Sequence, residues 1–220
     1  PIAILPFGTA NNVARSLGTL GGAKDLAEAV QAKRTHRLDI GLAAGPWGEQ
    51  RFVEATGFGC LATSATGPST DKAAREKRLE RGRKFFARQL KKSAAMEVMI
   101  SVDGRSLSGR WLFVEVLNTP FTGPALPLSP DAQPGDGVLD VVWLDEDRRA
   151  DMMDWLAAPE KAPPPVQATR GRCIQFEWDR RRPLRLDDQS AEEAADEGPA
   201  LVTVQLDGRP FDVLVAPGAA

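Results

Sequence analysis

The 220-residue chain has no tyrosine, one histidine (His36) and two cysteines (Cys60 and Cys173). A lone histidine argues against chemistry that needs a His pair or a His-rich metal site. The two cysteines lie too far apart in sequence for a metal or redox motif, and they read as small buried apolar residues in a reducing cytoplasm. No run approaches the roughly 18 apolar residues of a membrane span. The charge lacks a dominant sign: 28 bases face 30 acids, a net charge of −2. That argues against the overall basic excess usual in nucleic-acid binders. No internal repeat is evident. What is present, 42% hydrophobic and 26% charged residues, fits one large domain or two small ones with a real core.

Residues 1–5 form an apolar run ended by Pro6 and Gly8, which reads as a buried strand entering a loop. Asn11 or Asn12 can cap a helix in which Val13, Ala14 and Leu17 share a face. Lys24 to Ala32 is a second helix. From Leu38 onward short apolar or alternating runs recur at 38–43, 51–58, 96–103, 109–117, 137–144, 173–178, 201–206 and 211–216. Many are separated by turns rich in Gly, Pro and Asp, the pattern of an antiparallel sandwich. Helices interrupt it at 70–92 and 147–158. Residues 187–200 carry six acids and no base and read as a solvated loop. The fold class is therefore α+β, mainly β-sandwich with inserted helices.

Three turns have chemical potential. In Pro6-Phe7-Gly8-Thr9-Ala10-Asn11-Asn12, a glycine-bearing turn precedes a helix. It is either ordinary punctuation or an anion site built from backbone N–H groups. Gln133-Pro134-Gly135-Asp136-Gly137-Val138 is either a turn or a seat for a hard cation held by a carboxylate and carbonyls. Asp207-Gly208 lies between two strand-like runs and predicts a hairpin.

Taken in order, Pro-x-Gly-Thr-x-Asn near the start, Pro130-Asp131-Ala132 through Asp136-Gly137-x-Leu139-Asp140, Asp207-Gly208 and the final Pro217-Gly218-Ala219 resemble the diacylglycerol kinase catalytic family, in its bacterial soluble lipid kinase form. Asp39-Ile40-Gly41 and Phe52 to Gly59 agree, and Asn118 opens a loop where many members carry a glycine cluster that is thin here. The resemblance implies a catalytic cleft between an α/β nucleotide-binding domain and a largely β-sandwich domain. The family's Gly-Gly-Asp-Gly-Thr motif is absent from this sequence. The resemblance therefore implies that Pro1 lies inside the first domain and that the chain is a C-terminal part. Residues 1–36 would be a remnant of the α/β domain, 37–212 the sandwich, and 213–220 a final strand able to return to the first domain.

By the same resemblance Gly8, Thr9 and Asn12 hold the ATP phosphates, although many members have Asp at Asn12. Asp136 binds a structural Mg²⁺ with the carbonyls of Gln133 and Val138. The family's general base is a Glu directly after the C-terminal Asp-Gly; here that residue is Arg209, which cannot accept a proton. Asp207 or Asp212 could take the role, or the base could be missing. The implied reaction is phosphoryl transfer from ATP to a lipid hydroxyl, on diacylglycerol, another glycerolipid or a sphingoid lipid, with the chain inactive alone. Two alternatives stay open: a non-catalytic lipid-binding or regulatory relative, and a kinase of a soluble hydroxyl substrate such as NAD.

Residues 70–92 hold ten Lys or Arg against three acids, with Leu79, Phe86 and Leu90 along one stripe and Phe85 beside it. This helix either packs its stripe on the sandwich or lies on an anionic membrane, and both are compatible. The expected setting is cytoplasmic, at the inner face of the membrane, without nucleic acid; a homodimer is left open. His36 reads as a surface or interdomain residue, and Trp111, Trp143 and Trp178 as core or sandwich-edge packing. Phe121 and Leu126 line an acyl-chain groove or fill the core.

Overall fold

The computed structural model describes residues 1–62, 72–179, 183–190 and 198–216. The helix expectation at 70–71, the solvated loop at 191–197 and Pro217-Gly218-Ala219 lie outside the described residues. In chain order the elements are α1 (Asn12–Ser16), α2 (Ala23–Ala32), β1 (Thr35–Leu38), β2 (Gly41–Gly45), β3 (Gly48–Phe52), β4 (Ala55–Gly59), α3 (Lys72–Lys92), β5 (Met96–Val102), β6 (Arg105–Leu117), β7 (Leu139–Asp145), α4 (Arg149–Trp155), β8 (Gln167–Gly171), β9 (Cys173–Trp178), β10 (Leu184–Leu186), β11 (Gln189–Ser190), β12 (Ala200–Leu206) and β13 (Phe211–Leu214). The architecture is α+β, mainly antiparallel sheet, with the two short helices α1 and α2 at the N-terminal end.

β6 explains the sandwich. Its first half pairs with β5, and its second half pairs with β4 on one edge and β7 on the other. The register shifts between Trp111 and Phe113, a local irregularity of the kind that lets one strand turn from one layer into the next. One layer runs β11-β10-β4-β6-β7-β8 and the other β6-β5-β9-β12-β2-β3. Between them lies the main core, which includes Phe52, Phe58, Ile100, Val114, Val141, Ile174, Phe176 and Val204.

The outer face of the first layer is covered too. Phe86 and Leu90 of α3 and Met152 and Trp155 of α4 pack on Leu112, Phe113, Leu117, Val142 and Leu144. That two-sided burial is why Trp111–Leu117 is buried at every position, whereas β9 alternates, with Ile174, Phe176 and Trp178 buried between exposed Gln175 and Glu177. The α3 stripe is thus spent on the core, with Phe86 and Leu90 each 0% exposed. Leu126 is likewise core, and Phe121 lies under the Arg15 guanidinium. Cys60 is buried, and burial pushes its thiol up to about 12.

Besides the buried strand expected at residues 1–5, which is mostly exposed and forms only the isolated Ile2 bridge, two local expectations fail. The hairpin at Asp207-Gly208 does not form: β12 pairs with β2 and β9, so both its edges are taken, and β13 pairs instead with β1. Val213 also bridges Ile2 in parallel. These segments close over Leu17, Leu38, Val213 and Val215, with Ile4 and Val13 against them. The second failure is the asparagine cap. Asn11 occupies the N-cap position in a left-handed backbone (φ 51°) without a side-chain cap bond, and the Asn12 amide donates to the Gly123 carbonyl at 3.0 Å.

Candidate active site

The turn of residues 8–12 walls a pocket of about 320 Å³, which Glu54, Gly123 and Asp188 complete. Gly8 is exposed and Thr9 and Asn12 are buried. A methyl group on Gly8 would come within 3.1 Å of Asn11 Oδ1, so a larger residue there would have to displace the Asn11 side chain slightly. The structure therefore brings Gly8, Thr9 and Asn12 together at one cavity. With five residues, α1 is too short for its N-terminus alone to make an anion site; side chains and loop backbone must define this one.

The opposite wall depends on buried charge. Arg185 on β10 is 5% exposed, and Glu115 on β6 is 0% exposed. Arg185 Nη2 donates to Glu115 Oε2 and to Thr122 Oγ1, each at 2.7 Å, and its Nη1 donates to the Asp187 carbonyl at 2.7 Å. Gly57 makes room for this pair: a Cβ there would fall 2.4 Å from the Glu115 carboxyl carbon. Burial pushes the Glu115 carboxyl above its ordinary range, opposed by Arg185.

Asp187, itself left-handed (φ 50°), accepts the backbone N–H groups of Val53, Glu54 and Ala55 at 2.8, 2.7 and 3.1 Å. This fixes the short β3–β4 connection and aims Glu54 at the pocket. Glu54 Oε1 accepts the Gly123 N–H at 3.0 Å and lies 3.8 Å from Arg185 Nη1. Burial raises the Glu54 carboxyl to about 7, with Arg185 opposing and Asp187 reinforcing the rise. Arg83 of α3 donates to the carbonyls of Pro124 and Ala125 at 3.3 and 3.4 Å, bracing the Gly123 loop from outside.

The other expected residues lie elsewhere. Asp207 is absent from this pocket's wall; its carboxylate is held bidentately by Arg51 at 3.0 and 3.2 Å, which keeps it below the usual carboxylate range. Arg209 and Asp212 are exposed. At the proposed Mg²⁺ loop, the Asp136 carboxylate accepts the Val138 N–H at 3.1 Å and pairs with Arg170. The Gln133 carbonyl accepts the Asp136 N–H at 3.3 Å, and Arg170 also reaches Asp140 at 3.4 Å. A hard dication favours several oxygens on a site of net negative charge; here a guanidinium already bridges both carboxylates, so the donor set does not fit Mg²⁺. Among the described residues no group of three or more His, Cys, Asp or Glu is placed to hold a metal.

Sequence reasoning overlooked Glu54, Asp187, Asp188, Glu115 and Arg185. One sign was readable: Arg185 and Glu115 sit among apolar strand residues, where a charge is costly unless paired.

No curated protein matches the sequence. Crystal structures of proteins assigned as diacylglycerol kinases from Bacillus anthracis str. Sterne share the fold. One superposes with a TM-score of 0.67 at 19% identity, covering 100% of this chain and 71% of that one. A second gives 0.64 at 18%, covering 100% and 69%. At such identities the likeness speaks for fold alone. The family model described as diacylglycerol kinase catalytic domain matches residues 1–43, and that described as YegS C-terminal NAD kinase beta sandwich-like domain matches residues 68–210. With most of its length so matched, the chain belongs to the YegS-like diacylglycerol kinase family.

Proposed function

We propose that this member of a kinase family transfers the γ-phosphoryl group of ATP to a lipid hydroxyl at the pocket between residues 8–12 and Glu54. The observation that carries the reading is the meeting of Gly8, Thr9 and Asn12 with Glu54 and Asp188 around one cavity. Phosphoryl transfer depends mainly on position and charge stabilisation. Gly8 lets phosphate oxygens approach the backbone, while Thr9 and Asn12 supply hydrogen-bonding groups. MgATP enters as substrate, and the acceptor approaches from the Glu54 side. The protein works in the cytoplasm, at the inner face of the membrane. Among the described residues no helix is long and apolar enough to cross a membrane; the contact in this reading is peripheral. With Phe86 and Leu90 in the core, α3 meets anionic lipid through exposed Lys77, Arg81, Arg88, Lys91 and Lys92.

The test incubates the full-length protein with labelled MgATP and a panel of diacylglycerol, monoacylglycerol, a sphingoid base and NAD. Label in a lipid supports the reading. Label only in NAD assigns a soluble acceptor. Lipid binding without transfer supports a regulatory relative, the reading that Arg209 in place of the family's Glu favours.

A further inference from the structure

We propose that Glu54 is the general base of the reaction, taking the proton of the acceptor hydroxyl; the inference rests on the kinase reading above. Its side chain is 15% exposed, enough for one carboxylate edge to reach the cavity while the rest stays out of water. It shares that cavity with the residues that would hold the phosphates. A base must lie within hydrogen-bond reach of the proton it removes and be poised near working pH; Glu54 lines the cavity, and burial raises its carboxyl to about 7.

The surrounding charges explain why. Arg185 is committed to Glu115 at 2.7 Å, against 3.8 Å to Glu54. Asp187 is occupied by three backbone N–H groups. Asp188 is exposed to solvent at the pocket rim. Glu54 is therefore the acid left without a full counter-charge, and burial holds its carboxyl near 7. A second observation points to a ligand. Asn12, 4% exposed, lines the same cavity, and its buried Oδ1 has no donor among the described residues. A donor elsewhere on the bound ligand would satisfy this oxygen, while the reacting hydroxyl's single proton faces Glu54.

In the step itself, the acceptor oxygen forms a bond to the γ-phosphorus. The bond from that phosphorus to the β,γ-bridging oxygen breaks, and its electron pair leaves on ADP. The hydroxyl proton moves to the Glu54 carboxylate, which releases it to water once the products have gone. Such a base contributes about 10²–10⁴-fold.

The full-length protein is assayed with MgATP and diacylglycerol micelles, or with whichever acceptor the panel identifies. Wild type should show an acid limb with a midpoint near pH 7. Glu54→Gln should lower kcat by about 10²–10⁴-fold, leave the KM for ATP within about twofold and abolish the limb. Glu54→Ala should regain activity with added formate. Thermal melting identifies a variant that fails to fold, in which case Glu54→Asp, which keeps a carboxylate, must keep the limb. An active wild type with an equally active, folded Glu54→Gln, or with an unchanged limb in that variant, overturns the base alone. A wild type that phosphorylates nothing in the panel overturns the kinase reading, and the base falls with it.

Discussion

Arg185 Nη2 lies 2.7 Å from Glu115 Oε2, and both side chains are almost wholly removed from water. The pair joins β10 to β6 beneath the cavity, and the same guanidinium holds Thr122 in the loop that carries Gly123. One cation thus supports two walls of the site.

Arg185→Met should destabilise the protein by about 3–5 kcal/mol, because it strands a buried carboxylate. Glu115→Gln together with Arg185→Met should cost less than the sum of the two single changes, since the groups couple directly. Urea unfolding measures all three. An Arg185→Met protein within about 1 kcal/mol of wild type would show that the pair is not a support.

Glu54 should make stability fall as pH rises. Its carboxyl is raised from 4.5 to about 7 in the folded protein. Below about pH 4.5 both states hold the proton and nothing is contributed. Between pH 4.5 and 7 the unfolded chain releases its proton while the folded one keeps it, so stability drops, and above 7 the loss is complete. At about 1.36 kcal/mol per pH unit the total is about 3 kcal/mol. Glu54→Gln removes this slope, so its stability relative to wild type should improve by about that amount from pH 4.5 to 8. Parallel curves for the two proteins in urea melts would refute the assignment.

Mg²⁺ should not stabilise the 133–140 loop. Millimolar Mg²⁺ should leave the melting temperature where millimolar Na⁺ does. Arg170→Met should cost only about 0.2–1 kcal/mol, because the guanidinium is half exposed and screened. A Mg²⁺-dependent rise in melting temperature that Asp136→Ala removes would restore the cation to this loop.

The two faces of α3 should separate in experiment. Phe86→Ala should cost about 3–5 kcal/mol through the cavity it leaves. Replacing Lys77, Arg81 and Arg88 by Gln should hardly alter stability but should weaken sedimentation with anionic liposomes at low salt, by about 1 kcal/mol per base. Unchanged sedimentation would exclude this helix as the membrane contact.

Much of the sheet was legible in the sequence because its edges are marked. Asp103-Gly104 and Asp207-Gly208 show where legibility stops. Both Asp103 and Gly104 have positive φ (49° and 80°), and the turn joins β5 to β6 as a hairpin. Asp207-Gly208 has the same residues, yet β12 already has a neighbour on each edge, so the chain must leave. Local turn chemistry cannot register that competition. β10 was missed because Leu184-Arg185-Leu186 is short and carries a cation; its burial depends on Glu115, distant in sequence. The phosphate-side residues Gly8, Thr9 and Asn12 are contiguous and could be read together. Glu54 could not, since its importance comes from Asp187, Gly123 and Arg185, brought to it by folding.

The sharing of β6 between both layers limits how the cavity can open. Because one continuous strand is hydrogen-bonded into both layers, sliding or parting them would tear ladder bonds on either side of Trp111. Breathing motions that admit a substrate must therefore come from the segments hung on this frame, residues 1–20 and the loop at 118–125. Amide exchange should be fast there and slow along 111–117.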